Sequence, residues 1–161
     1  MNTYHVRRTD REITDPEALV SILKRGRFTT ISMCHEGEPY LVTLSYGYDE
    51  AANALFFHTG IEGRKLDAIK ADPRVCATVI IDGGYVQTKC EHPYESVVFT
   101  GRMSLVTDPD EARAGMRVLL GHLEDEPQDV WDRNRLDSDT RFDRMRVARL
   151  DIEHLTGKAG K

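Results

Sequence analysis

The stretch Phe56-Phe57-His58-Thr59-Gly60-Ile61-Glu62-Gly63-Arg64-Lys65-Leu66 decides how this chain is read. A β-type run ends in a hydroxyl residue, two glycines let the backbone turn tightly, and two adjacent cations open a helix. Each part suits a phosphate: exposed N–H groups and the positive dipole end of a helix start, a hydroxyl donor and paired cations. The same residues also fit a solvated first turn in which Arg64 and Lys65 pair with surface acids, since both types are mostly exposed. Only two of the three glycines of a G-x-G-x-x-G are present, which argues against a Rossmann dinucleotide site.

Outward from this stretch the chain alternates short β-type runs with helical ones. Residues 1–13 are polar and read as an N-terminal arm. Thr14-Asp15-Pro16-Glu17 starts a helix with a capping side chain, a first-turn proline and an acid at the positive dipole end, and Gly26 ends it as a C′ residue. Strands are predicted at 27–34, 39–48 and 54–59, joined by turns at 36–38 and 49–53. These links are too short for a crossover helix, so the three strands form an antiparallel meander. Downstream, a helix is predicted over 64–71, a strand buried on both faces over 75–81, and a polar loop over 82–93. A long strand over 94–107 carries Gly101, which permits a bulge or bend. Asp108-Pro109-Asp110-Glu111 starts another helix, with Ala112, Met116, Leu119 and Leu123 at helical spacing. Residues 124–146 are charged, with a short helix expected around 138–145, and the last strand falls over 147–155. Six strands with three or four edge helices imply a closed or partly open antiparallel barrel.

Composition bounds the function. The chain has 161 residues, 40% hydrophobic and 30% charged, which fits one domain and excludes a disordered polymer. No apolar run approaches the ~20 residues of a spanning helix, so no membrane is expected. With 22 Lys+Arg against 27 Asp+Glu, net −5, the chain lacks the basic surplus of a nucleic-acid face, and no nucleic acid is expected as partner. The first residues lack the apolar core of a signal peptide. Cys34, Cys76 and Cys90 are far apart and odd in number, which reads as a reducing cytoplasm without disulfides. Cys90, Glu91 and His92 share a loop and Cys34-His35 another, but no spacing matches a metal set, so no metal is expected.

The order and spacing of several pieces resemble the pyridoxamine 5′-phosphate oxidase-like, FMN-binding split-barrel superfamily, and within it the branch related to 5-nitroimidazole resistance. They are Pro39-Tyr40-Leu41-Val42-Thr43-Leu44-Ser45-Tyr46, Phe57-His58-Thr59 with Gly63-Arg64-Lys65-Leu66, and Asp72-Pro73-Arg74-Val75. Cys90, Tyr94-Glu95-Ser96-Val97-Val98, Gly101 and Thr156-Gly157-Lys158 follow, so the likeness spans about residues 13–158. The resemblance implies a mainly β fold with peripheral helices: a six-stranded antiparallel split β-barrel, one FMN-binding domain over 1–161 that forms a homodimer with FMN at the interface. Arg64 and Lys65 would bind the flavin phosphate, helped by Thr59. Val42, Thr43, Leu44, Ser45 and Tyr46 would line the ring and ribityl chain with His58 beside them, and Ser96 would add a polar contact. His58 is counted as a cofactor contact, and no catalytic residue is assigned.

The chain departs from pyridoxamine phosphate oxidases at its end, where Asp151-Ile152-Glu153-His154-Leu155-Thr156-Gly157-Lys158 replaces a basic substrate motif, which disfavours pyridoxal phosphate synthesis. Three functions follow. The first is a cytoplasmic FMN-dependent oxidoreductase that reduces a small aromatic or nitro-type acceptor. The second is a non-catalytic FMN-binding or electron-carrier module. The third is a haem-binding relative, with His154, His92 or His58 as ligands. Trp131 is read as an anchor for its loop-like, charged segment, Tyr94 as the strand tyrosine to test for flavin proximity, and Val97 and Phe99 as parts of an open apolar face.

Overall fold

Asp15 caps helix α1 (Pro16–Arg25) by accepting from the Glu17 N–H, and Pro16 occupies the first turn. Gly26 ends this helix in extended rather than left-handed backbone. Its need for glycine is close packing instead: a Cβ there would collide with Val79 and lie 2.5 Å from the Tyr46 hydroxyl. The computed structural model describes residues 6–160; residues 1–5 of the expected arm lie outside them. Its described part is not a free tail, because a 3-10 turn (Thr9–Arg11) leads into strand β1 (Glu12–Ile13), which pairs with the last strand.

The remaining strands are β2 (Phe28–His35), β3 (Glu38–Ser45), β4 (Gly47–Asp49), β5 (Ala54–Thr59), β6 (Arg74–Asp82), β7 (Tyr94–Leu105) and β8 (Arg146–Gly160). They pair antiparallel in the order β3-β2-β6-β7-β8-β5-β4. The two ends of that path, β3 and β4, are consecutive pieces of chain separated by Tyr46 alone. One kinked strand therefore pairs with β2 along its first half and with β5 along its second, which curls six long strands into a split barrel. The predicted continuous strand over 39–48 is thus two. Tyr46 is wholly buried and donates its hydroxyl to the Leu23 carbonyl at 2.7 Å. Gly47 packs so closely on α3 (Pro109–Leu123) that a Cβ would sit 2.5 Å from Leu119 Cα.

Gly101 does mark a bend: the β7–β8 register shifts between Thr100 and Gly101. The strand expected to be buried on both faces is buried on one, since β6 alternates, with Val75, Ala77 and Val79 inside and Ile80 exposed. Val97 and Phe99 likewise point inward, not to an open face.

Two cores result. Inside the barrel, Ile31, Leu55, Phe57, Val79, Phe99 and Leu150 meet Ile22 and Leu23 of α1 and Ala68 and Ile69 of α2 (Arg64–Ala71). Outside it, Phe56 and Val147 are covered by Met116, Leu119 and Leu120 of α3 and by Trp131. Trp131 belongs to a helix, α4 (Pro127–Arg133), where a loop was expected, and is 2% exposed, with the Arg117 guanidinium 3.8 Å from its ring centroid. The helix expected around 138–145 is only a 3-10 turn (Asp139–Arg141).

Candidate functional site

The kink at Tyr46 creates the site. Beyond it β3 diverges from β5, so the edge of β3 turned away from β2 has no strand partner. On the facing side β4 covers β5 only as far as Phe56, which leaves Phe57, His58 and Thr59 unpaired along that edge. The wedge narrows to Tyr46 and Gly47 and opens toward the first turn of α2. Gly63 delivers the chain there with φ +126°, a backbone state that favours glycine, and no side chain caps the helix.

Arg64 and Lys65 begin α2. The Arg64 guanidinium lies 4.7 Å from the Tyr40 ring centroid, which joins the helix start to the free β3 edge. Neither cation has a carboxylate partner among the described residues, in contrast to Arg8, Arg25, Arg74 and Arg149. Lys65 is half-buried, and that burial lowers its ammonium from the ordinary value. A half-buried cation without a counter-ion is a donor set in want of an anion.

Strand alternation separates the other predicted residues. Val42 and Leu44 turn inward against the barrel core, whereas Thr43 and Ser45 stand on the outer face. The Tyr46 side chain is core, with burial pushing its phenol up, so only its backbone borders the wedge. His58 is open to solvent on one face of β5, beside Val147, and Thr59 is buried on the other. Desolvation first, then the charges of Arg141 and Lys65, hold the His58 imidazole below its ordinary value.

Ser96 lies away from this group. It is on β7, three strands from β3, or roughly 14 Å at ~4.8 Å per strand, and its hydroxyl donates to the Lys158 carbonyl at 3.4 Å. Tyr94 starts β7 opposite Asp82, at the end of β6 remote from α2. Two arginines missed in the sequence complete the rim. Arg146 is the β8 partner of Thr59, and Arg141 closes the 3-10 turn before it. Their signal was there, in the basic residues of 141–146, but that segment read only as charged.

The outer face of β3, β2, β6 and β7 adjoins the wedge. Register puts Phe28, Leu41, Ile80 and Val98 on it, at 63%, 63%, 59% and 47% exposure, among small polar residues such as Thr30, Ser32 and Thr43. A concavity of about 490 Å³ lies between the start of α3 and Phe142–Val147. No group of three or more His, Cys, Asp or Glu that could hold a metal occurs among the described residues. Nor is any described helix long and apolar enough to cross a membrane.

A family model described as pyridoxamine 5′-phosphate oxidase matches residues 15–159. No curated protein matches the chain. Among solved structures, a candidate 5-nitroimidazole antibiotic resistance protein from Bacteroides thetaiotaomicron is 23% identical, with TM-score 0.76 over 92% of this chain and 86% of that one. A flavocytochrome from Azotobacter vinelandii is 21% identical, with TM-score 0.79 over 98% and 72%. An FAD- and haem-binding protein from Mycobacterium smegmatis is 16% identical, with TM-score 0.77 over 94% and 74%. At these identities the structures establish the split-barrel fold.

Proposed function

The chain belongs to the pyridoxamine 5′-phosphate oxidase family, and from that membership we propose that it is a cytoplasmic, homodimeric flavoprotein that binds FMN in the wedge and reduces a small aromatic or nitro-type acceptor. The observation that carries this reading is the pair Arg64 and Lys65, placed without carboxylate partners at a helix start that faces an unpaired strand edge. Arg64 and Lys65 hold the terminal phosphate with charge-assisted bonds, and an anion there restores what burial of Lys65 disfavours. The free amides and carbonyls of β3 between Val42 and Tyr46 orient the ring through its polar edges. When bound, the flavin supplies the electron transfer. His58, neutral at physiological pH, stands at the rim as a hydrogen-bond partner.

The bare outer face packs on a second copy, which shields the ring from water and brings Ser96 of one copy toward the wedge of the other. Apolar residues concentrated on one face are what an interface needs. Three exposed, unpaired cysteines fit a reducing compartment. FMN is preferred to FAD because two adjacent cations match a terminal monophosphate. Flavin and nitroimidazole relatives support the chemistry by name. Pyridoxamine phosphate oxidation is not proposed, because residues 151–158 lack the basic substrate motif expected of such an oxidase.

The absorption spectrum of the purified protein, with mass identification of the released chromophore, tests the reading. Arg64→Ala with Lys65→Ala should lose several kcal/mol of FMN affinity at ~1.5–3 kcal/mol per charged bond. A double variant that purifies with full flavin removes the cradle.

A further inference from the structure

We propose that His122 is a proton-sensitive positioning residue, one that holds the Tyr46 kink, and with it the apex of the wedge, only while its imidazole is neutral. As a regulation of flavin binding this rests on the reading above. His122 stands in the last turn of α3, where that helix meets β4 and the end of α1. The Tyr48 N–H on β4 donates to Nδ1 in a long bond of 3.4 Å, and Nε2 lies 2.6 Å from the Gly26 carbonyl that follows α1. A backbone N–H can only donate and a carbonyl can only accept. One tautomer alone meets both: the neutral ring with its proton on Nε2. The ring also packs on Tyr46, centroids 5.0 Å apart, whose hydroxyl donates to the Leu23 carbonyl. Two neighbouring rings thus hold the carbonyl end of α1, and one of them reaches on to β4.

A proton on Nδ1 changes one contact and spares the other. Nε2 keeps its bond to Gly26, and the carbonyl ends of α1 and α3 favour a cation there. Nδ1–H then faces the Tyr48 N–H, donor against donor, and the amide loses its acceptor. Strand β4 is three residues long and ends the strand path, so this contact closes an edge that no further strand covers. A shift of Tyr48 moves Gly47 and the Tyr46 backbone, which border the apex. The charged groups around the ring are mixed in sign and engaged elsewhere. Lys24 of α1 pairs with Glu50, Arg25 with Glu95, and Arg27 donates to the Leu123 carbonyl. Asp49 accepts from the N–H groups of Ala51 and Ala52, the Tyr48 hydroxyl bonds Asn53, and Arg117 lies over Trp131. Glu124 ends α3. Both imidazole nitrogens are taken by backbone, so the ring answers to Tyr48 and Gly26 first. A concavity of about 520 Å³ bordered by Tyr48, Asp49, Glu50, Arg117 and His122 gives solvent protons access.

The test compares the parent with His122→Gln and His122→Ala on the full chain. Gln offers a donor and an acceptor as the neutral ring does, but it does not titrate. FMN affinity is read by fluorescence at about pH 8 and about pH 5.5, on either side of ordinary imidazole titration. The flavin phosphate and His58 also titrate in that window, but they are common to all three proteins and cancel in the comparison. We expect the parent to lose roughly three- to tenfold more affinity on acidification than His122→Gln, the worth of one hydrogen bond, and His122→Ala to be weak at both pH values. Equal falls in the parent and His122→Gln overturn the proposal, and that pair decides alone if His122→Ala does not fold. NMR of the flavin-free protein keeps this apart from the flavin reading. The Tyr48 amide shift should follow the His122 imidazole titration in the parent and stay flat in His122→Gln. If it does so and the protein takes no flavin, the switch stands and the flavin reading falls. If flavin binds and the Tyr48 amide ignores the His122 titration, the switch falls alone.

Discussion

The outer surface of β5 and β8 carries Phe56 and Val147 beneath Met116, Leu119 and Leu120. The outer surface of β2, β3, β6 and β7 carries Phe28, Leu41, Ile80 and Val98 in the open. Both are the outside of one barrel, and the strand pattern that builds them is the same alternation. The difference lies in what the chain supplies as a lid. After β7 it returns as a 15-residue helix whose apolar stripe covers the first surface, with α4 extending that cover. Between β3 and β6 it supplies α2 instead, which sends Leu66, Ala68 and Ile69 inward and leaves the second surface bare. A barrel can thus devote one outer face to its own stability and leave the other bare, the face proposed above for assembly.

The largest effect that would sharpen this contrast is on the bare face. Leu41→Glu with Ile80→Glu should convert a dimer to a monomer by sedimentation, because an interface core excludes unpaired charge. Melting of the monomer itself should change little, as exposed positions usually cost within ±0.5 kcal/mol. A parent protein that sediments as a monomer breaks the comparison outright. On the covered face the reverse is expected. Leu119→Ala should cost about 2–5 kcal/mol in denaturant unfolding and leave the oligomeric state alone. An unchanged midpoint would mean that α3 is a loose appendage rather than a lid.

Much of this was legible in the sequence because the signals were local. The cap at Asp15-Pro16, the cap at Asp108-Pro109 and the Gly63-Arg64-Lys65 helix start each fix an element within a few residues. The kink at Tyr46 was not legible, since its causes, the Leu23 carbonyl and the Leu119 backbone, are distant in sequence. The same holds for α4, whose one buried aromatic is anchored by Arg117 of α3 rather than by its own charged neighbours. For the site, residue types pointed to Arg64 and Lys65, but only strand parity shows Val42 and Leu44 facing the core and Thr43 and Ser45 facing out.

The smallest expected effect lies at the rim between the two faces. His58 titrates below its ordinary value in the folded chain, through desolvation and then the charges of Arg141 and Lys65. The unfolded chain therefore binds more protons in the window between the folded value and ~6.5. Its contribution to stability is present above ~6.5 and is lost as pH falls through that window. The slope should be well under the ~1.36 kcal/mol per pH unit of one full proton, because the ring is open to solvent and screened. His58→Gln should flatten the acid side of the stability profile just below pH ~6.5. A bound anion beside Arg141 and Lys65 should flatten it too, by cancelling the charges that depress the imidazole. A profile in His58→Gln that stays as steep as the parent's would assign that slope to another group and leave the His58 imidazole uncoupled from the cations around it.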